Sequence, residues 1–363
     1  MEVDDLPSRR QRRGTVWLRR NPFSHRPLSG STPDRQEGLC EEAIVNADIF
    51  AEWLRRQRYR VVRTASSYWY EASPRVYQAF PYHWAIEPPE EELRNLLVRN
   101  GAVALRYSAP LTYGRGKLSY HVVCTNADFG LSSLPRQAQQ SVRKGLEYAC
   151  VEPIPLPRLA SEGWALRQDS LERQGRVSAE TEPWWRRLCL SAEGLPGFEA
   201  WGAIHDGQLV ASFLAFTCDD CFTLPYEQSA SAHLEYRVNN AIFFRVTQQA
   251  LQRPGLSWVF LGLHSLDAPA SIDQFKFRMG YAAKPVRQRV VFHPLLAPLL
   301  NRASHAAING VLRHYPHHPT LAKAEGMVRF YLEGKRPPQA QDLPECLLSL
   351  KGELSEVLQS PVS

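Results

Sequence analysis

The chain has 363 residues, room for two domains of ordinary size, and its 44% apolar and 22% charged content is that of a soluble globular protein. The net charge of +6 permits an anionic ligand but does not require nucleic acid as a partner. No apolar run reaches the roughly 18 residues of a membrane span. The N-terminus lacks an apolar signal segment, and seven scattered cysteines suit a reducing compartment. We therefore predict a cytoplasmic protein without a transmembrane segment.

Residues 1–38 are predicted to be a disordered basic tail. Arginines stand there among Pro, Gly and Ser, with little apolar periodicity. A nucleic-acid or lipid-headgroup contact is the alternative, but no aromatic residues interleave the arginines closely enough to favour it.

The segment 39–155 is predicted to be a first α/β domain. Helical patterns alternate in it with short runs of β-branched and aromatic residues. The predicted helices span 41–57, 88–100 and 132–144, and the predicted strands span 59–62, 68–70, 76–80, 102–107, 118–124 and 146–154. Gly145 is expected to end the third helix, because glycine is favoured just past a helix end.

The segment 156–295 is predicted to be a second α/β domain, followed by a helical extension over 296–363. Two helical stretches, 159–174 and 183–192, precede three strands in a row. The remaining predicted elements are strands 198–205, 208–217 and 221–226, helix 234–251, strand 257–263, a helix ending before Gly280 and strand 287–292. Asp206–Gly207 is a strong hairpin signal, and Gly280 suits a left-handed position past the last helix.

Two short motifs in this element order carry a family resemblance. The segment Phe275-Lys276-Phe277-Arg278-Met279-Gly280-Tyr281 resembles the Phe-Lys-x-x-x-Gly-aromatic signature of the FemAB-like and CelD-like branch of GNAT acyltransferases. Residues 133–145 are similar to the basic helix that joins the two halves of that branch. The resemblance covers about residues 40 to 295. It implies tandem GNAT-like domains with mixed central sheets, and an acyl transfer from a thioester donor to an amine.

One departure leaves the donor open. GNAT domains usually hold the coenzyme A pyrophosphate on a glycine-rich loop that opens a helix. The matching residues 235–241 contain no glycine, as in the resembled branch. The resemblance therefore implies acyl-CoA, or another acyl thioester such as one carried by an acyl carrier protein, as co-substrate.

The candidate catalytic residues follow the third and fourth strands of the second domain. Tyr226 is a candidate to protonate the leaving group, and Glu227 a candidate base; the alternative is a rim tyrosine and a solvated acid. His264 lies near Asp267 in sequence, so the pair is a candidate proton shuttle, or else His264 is an ordinary loop histidine.

The candidate donor-binding residues lie at the start of one helix and on the face of another. Tyr236, Arg237, Asn239 and Asn240 open helix 234–251, a position suited to anions, although ordinary capping explains them as well. Lys276 and Arg278 flank Phe275, and a solvated helix face is the alternative for them.

Cys218-Asp219-Asp220-Cys221 has the spacing of metal ligands, but no second pair of this kind exists. Two cysteines beside a hairpin turn explain it equally, so no metal is expected.

Three functions compete. The first is an N-acyltransferase acting on a small-molecule or peptide amine. The second is an aminoacyl-tRNA-dependent transferase of the same fold, which is disfavoured because no sustained heptad repeat suggests the coiled-coil arm of the Fem enzymes. The third is a non-catalytic binding module, which the glycine-free loop supports. The sequence does not give the oligomeric state.

Overall fold

A computed structural model of the chain describes residues 46–175, 178–266, 271–316 and 318–359. The predicted tail over 1–38 and the proposed partner of His264, Asp267, lie outside these residues.

Strands and helices alternate along the described chain much as the sequence patterns predict. The strands are β1 Val61–Arg63, β2 Tyr68–Ser73, β3 Val76–Phe80, β4 Ala104–Ala109, β5 Lys117–Cys124, β6 Cys150–Ile154, β7 Phe198–His205, β8 Gln208–Cys218, β9 Cys221–Ser229, β10 Trp258–Leu263 and β11 Ala282–Phe292. The helices are α1 Ala47–Arg56, α2 Glu90–Arg99, α3 Arg136–Tyr148, α4 Leu156–Arg173, α5 Glu182–Leu190, α6 Val238–Leu251, α7 Ser271–Arg278, α8 Arg302–His314, α9 Pro319–Glu333 and α10 Lys351–Gln359.

All eleven of these strands form one mixed sheet in the order β1-β2-β3-β4-β11-β5-β10-β9-β8-β7-β6. We call α1 to β5 the N-terminal half and β6 to β11 the C-terminal half. Strand β11 lies between β4 and β5 and is antiparallel to both, while β5 lies between β11 and β10. Each half therefore inserts one strand into the other. The predicted α/β class with a mixed central arrangement of strands is confirmed, and the strands of both halves share one continuous sheet.

Local sequence explains several helix boundaries. The Asn46 side chain accepts a hydrogen bond from the Asp48 N–H and caps α1. Three glutamates occupy the first turn of α2, where they complement the positive end of the helix dipole. Gly280 follows α7 with φ of +87°, the left-handed conformation predicted for it.

The prediction that Gly145 ends a helix is wrong. Helix α3 continues to Tyr148, and Gly145 lies inside it, facing α6. A Cβ atom at Gly145 would stand 2.4 Å from the Arg237 carbonyl oxygen and 2.9 Å from the Ala241 Cβ. The glycine is therefore needed for the close approach of two helices rather than for a helix end.

Helices cover both faces of the sheet. On one face α6 packs against β7, β8 and β10, and α3 packs against α6 and β6, in the largest buried apolar cluster. On the other face α1, α4 and α5 cover β7 and β8 with a second cluster that includes Trp53 and Trp185. We call these the α6 face and the α4 face.

The C-terminal segment packs on the sheet rather than away from it. Helix α9 lies against β11 and β5, and its Phe330 is fully buried. Leu347 and Leu354, farther along the chain, are buried in the cluster of the α6 face. Among the described residues, none of the helices combines the length and the apolar character that crossing a bilayer requires.

Candidate active site

Strands β9 and β10 begin side by side and then separate. They pair in parallel at three positions, Cys221 with Trp258, Phe222 with Val259, and Thr223 with Phe260. Beyond these pairs β9 continues to Ser229, bonded to β8 alone, and β10 turns to β5 through an irregularity between Phe260 and Gly262. The edge of β9 that faces the gap has no strand partner within the described chain. Such a gap exposes backbone N–H groups that can bind a polar ligand or an oxyanion.

Glu227 lies on the separated part of β9 and points to the α6 face. Its cross-strand partner is Phe213, whose ring contacts Phe243 of α6 at 4.8 Å. Cross-strand partners share a face of the sheet. Burial raises the pKa of Glu227 to about 7; the positive charge of Lys276 opposes this rise and the negative charge of Asp273 adds to it. A carboxyl group with this pKa exchanges protons near neutral pH.

Helix α7 brings a hydrogen-bonded chain of polar groups toward Glu227. The Lys276 Nζ lies 3.2 Å from the Asp273 Oδ1, and the Asp273 Oδ2 accepts a hydrogen bond from the Tyr120 hydroxyl at 2.8 Å. Both charged side chains are largely buried, at 17% and 13% exposure. Burial first, and then the hydrogen bond to Asp273, raise the pKa of Tyr120, so the phenol stays protonated.

His264 follows β10 and joins the same region through β5. Its ring stacks on Tyr120 with centroids 4.6 Å apart, and its Nδ1 lies 3.1 Å from the Ser119 Oγ. Burial, reinforced by the charge of Lys117, lowers the pKa of His264 to about 4. The imidazole is therefore neutral at pH 7, which suits a hydrogen-bonding role better than proton uptake.

Tyr226 lies beside Glu227 in sequence but points to the opposite, α4 face. It pairs with Leu214, and its ring lies 6.1–6.5 Å from the rings of Trp53, Trp184 and Trp185. The Arg167 guanidinium stands 5.5 Å from the ring centroid. Burial raises the pKa of Tyr226 well above its ordinary value, so the side chain is a proton donor and not a phenolate. The two residues therefore flank the gap from opposite faces.

The start of α6 holds four of the six residues predicted to bind the donor. A short 3₁₀ segment, Ser231–Tyr236, leads to Arg237, which adopts a left-handed conformation with φ of +66° and precedes the helix. The Arg237 side chain is exposed, and Asn239 is partly exposed. The Asn240 amide instead contacts the Met279 sulfur at 3.2 Å, so it ties α6 to the end of α7.

Helix α3 adds aromatic and basic groups beside this turn. Tyr148 stacks on Tyr236 with centroids 4.1 Å apart and an interplanar angle of 3°, and His205 stacks on Tyr148 at 3.8 Å. The Lys144 ammonium lies 5.8 Å from the Tyr236 ring centroid. The first turn of α6 is therefore bordered by two cationic side chains, Lys144 and Arg237.

The structure places the predicted residues in three groups. Glu227, Lys276 and His264 border one polar region on the α6 face and around β5, Tyr226 lies on the α4 face, and the third group opens α6. Arg278 is exposed at the end of α7. Sequence reasoning missed Asp273 and Tyr120. The three-residue spacing of Asp273 and Lys276 on one helix was a signal for the first; no sequence signal pointed to Tyr120.

No family model matches the chain, and no curated protein matches it either.

Comparison with solved structures returns distant neighbours. FemX matches with 11% identity over 69% of this chain and 92% of that chain, at a TM-score of 0.49. The C-terminal domain of a putative lysylphosphatidylglycerol synthetase from Agrobacterium fabrum matches with 13% identity, over 67% and 87% of the two chains, at a TM-score of 0.46. A tandem GNAT protein from the clavulanic acid biosynthesis pathway matches with 12% identity, over 64% and 81%, at a TM-score of 0.40.

The α/β fold of the chain is defined by its own element order and by the exchange of β5 and β11 between its halves.

Proposed function

We propose that the chain is an acyl- or aminoacyl-transferase of the GNAT fold that joins an activated acyl group to an amine in the gap between β9 and β10. The observation that carries this proposal is Glu227, a partly buried carboxyl with a pKa raised to about 7 by burial, at the point where the two strands separate. An acceptor amine must lose a proton to attack a thioester or ester, and this group is matched to accept it at neutral pH.

The proposed step needs no covalent enzyme intermediate. The amine nitrogen attacks the acyl carbon while Glu227 takes its proton. Backbone N–H groups on the free edge of β9 stabilise the oxyanion of the tetrahedral intermediate. Collapse of the intermediate breaks the bond to the donor sulfur or oxygen, and Tyr226 or solvent supplies the proton to that leaving group. Glu227 would then take the proton of the acceptor from one face of the sheet, and Tyr226 would donate a proton to the leaving group from the opposite face.

The remaining polar groups are assigned to electrostatics and donor binding. Lys276, paired with Asp273, limits how far the pKa of Glu227 rises. Neutral His264 helps to position Tyr120 by stacking. Arg237, Lys144 and the first turn of α6 form a positive surface for the phosphates of an anionic donor, with Tyr236 beside it. Asn239 supplements this surface. Arg278, exposed on α7, is a candidate for a peripheral contact, whereas Asn240 has a structural contact.

A phosphate-bearing donor satisfies this surface whether it is acyl-CoA, an acyl carrier protein or a charged tRNA. The decisive experiment incubates the purified chain with each donor class and a panel of amines, and follows product formation by mass spectrometry. We expect turnover with one class, and its loss in Glu227→Gln. If no donor reacts and none raises the melting temperature, the non-catalytic binding module replaces this proposal.

A further inference from the structure

The turn of the β8–β9 hairpin meets a loop of the N-terminal half. Cys218 ends β8, Asp219 follows it in the turn, and His83 comes from the loop after β3. One donor atom from each of these three residues lies within 4.8 Å of the other two. The sequence suggested only Cys218 and Cys221 as possible metal ligands. It gave no reason to include a histidine from the N-terminal half.

His83 is buried without a hydrogen bond. Its side chain is 4% exposed, and neither ring nitrogen has a hydrogen-bond partner among the described residues. The Nε2 atom lies 3.6 Å from the Asp219 Oδ2, too far for a hydrogen bond but directed into the cluster. A buried polar group without a partner requires an explanation, and binding of an ion is one of the few available.

Cys221 is the candidate for a fourth donor. It is the cross-strand partner of Cys218, so the two side chains share a face of the sheet. Both thiols are fully buried and neither is in a disulfide. Imidazole nitrogen and thiolate sulfur are the ligands that Zn²⁺ prefers.

Tryptophan side chains hold the acidic turn in place. The Trp84 Nε1 donates a hydrogen bond to the Asp219 Oδ2 at 2.9 Å, and the Trp258 Nε1 donates one to the Asp220 Oδ1 at 3.1 Å. The Trp258 ring also packs edge-on against His83 at 5.3 Å. Outer contacts of this kind orient metal ligands.

We propose that His83, Cys218 and Asp219, with Cys221 as the fourth ligand, form a structural Zn²⁺ site that joins the two halves of the chain. Tetrahedral ligand atoms bonded to zinc at about 2.0–2.3 Å stand roughly 3.3–3.8 Å apart. The His83 Nε2–Asp219 Oδ2 separation of 3.6 Å falls in this range. Each coordinating thiol releases its proton to solvent when the metal binds. The site lies at the β8–β9 turn and does not include Glu227. A failure of the zinc proposal would therefore leave the transferase proposal unaffected, and the reverse also holds.

The test uses the full chain, reduced, stripped with a chelator and titrated with Co²⁺. We expect one Co²⁺ per chain, with the absorption of tetrahedral thiolate coordination, and displacement by Zn²⁺. Cys218→Ser should remove much of the thiolate-to-metal absorption. His83→Gln should weaken binding by at least about tenfold, since even outer-shell changes cost 10–100-fold. The exposed Cys150 and His314 provide the matched controls Cys150→Ser and His314→Gln, which should bind as the wild type does.

Stability gives a second readout. Zn²⁺ should raise the melting temperature of the stripped wild type, and it should raise that of His83→Gln less at the same Zn²⁺ concentration. Failure of the reduced wild type to bind Co²⁺ stoichiometrically would overturn the site without any variant. Equal binding by Cys218→Ser, His83→Gln and the wild type would overturn it as well. The site would also be overturned if Cys218 and Cys221 form a disulfide in the purified protein and the reduced protein binds no metal.

Discussion

Replacing Glu227 with glutamine should increase stability at alkaline pH. The pKa of about 7 exceeds the ordinary value of 4.5 because burial disfavours the carboxylate. The native state therefore binds more protons than the unfolded state between these values, and wild-type stability falls as the pH rises through this window. The difference corresponds to about 3 kcal/mol above pH 7, an upper value because the side chain keeps partial exposure. Glutamine has no charge to desolvate and avoids this cost.

Urea unfolding of wild type and Glu227→Gln between pH 4 and pH 8.5 measures the effect without knowledge of the substrate. The stability advantage of the variant should be greatest at pH 8, shrink as the pH falls through 7, and reach a constant baseline below about pH 4.5. The exposed Glu147 provides the control Glu147→Gln, for which no such pH-dependent gain is expected. A stability difference that does not vary with pH would refute the assignment of a raised pKa to Glu227, and with it the proposed base.

The other predictions concern the two sides of the gap and one helix contact. Lys276→Met removes the charge that lowers the pKa of Glu227, so the acidic limb of the pH–rate profile should move to higher pH; an unmoved limb would contradict their coupling. Tyr226→Phe should lower turnover about 10²-fold with little change in donor affinity if the hydroxyl protonates the leaving group, and full activity would assign that proton to solvent. Gly145→Ala should destabilise the chain by about 1–3 kcal/mol because its Cβ meets a backbone carbonyl. Gly310→Ala, in open space on α8, should instead stabilise by up to about 1 kcal/mol, and equal thermal shifts for the two variants would contradict the packing argument.

The fold class and most elements could be predicted from the sequence because they depend on local patterns. Strands 76–80 and 198–205 were predicted with the bounds that the structure gives. The glutamates of α2 and the glycine after α7 marked their helix ends correctly, since capping depends on neighbouring residues alone. Glu227 could be proposed as a base because it directly follows the predicted strand 221–226, but the rise of its pKa depends on the side chains packed around it.

Only the tertiary structure shows the features that depend on residues far apart in the chain. The exchange of β5 and β11 between halves has no local signature, because strand pairing is chosen by contacts across the whole sheet. Gly145 looks like a helix end in sequence, and only the carbonyl of Arg237 across the interface shows why glycine is required. Tyr226 and Glu227 are neighbours in the chain, yet alternation along β9 sends them to opposite faces. His83 joins Cys218 only because the fold brings a loop of one half against a hairpin of the other. The sequence therefore determined the elements and their order, while the sites arise from contacts between residues far apart in the chain.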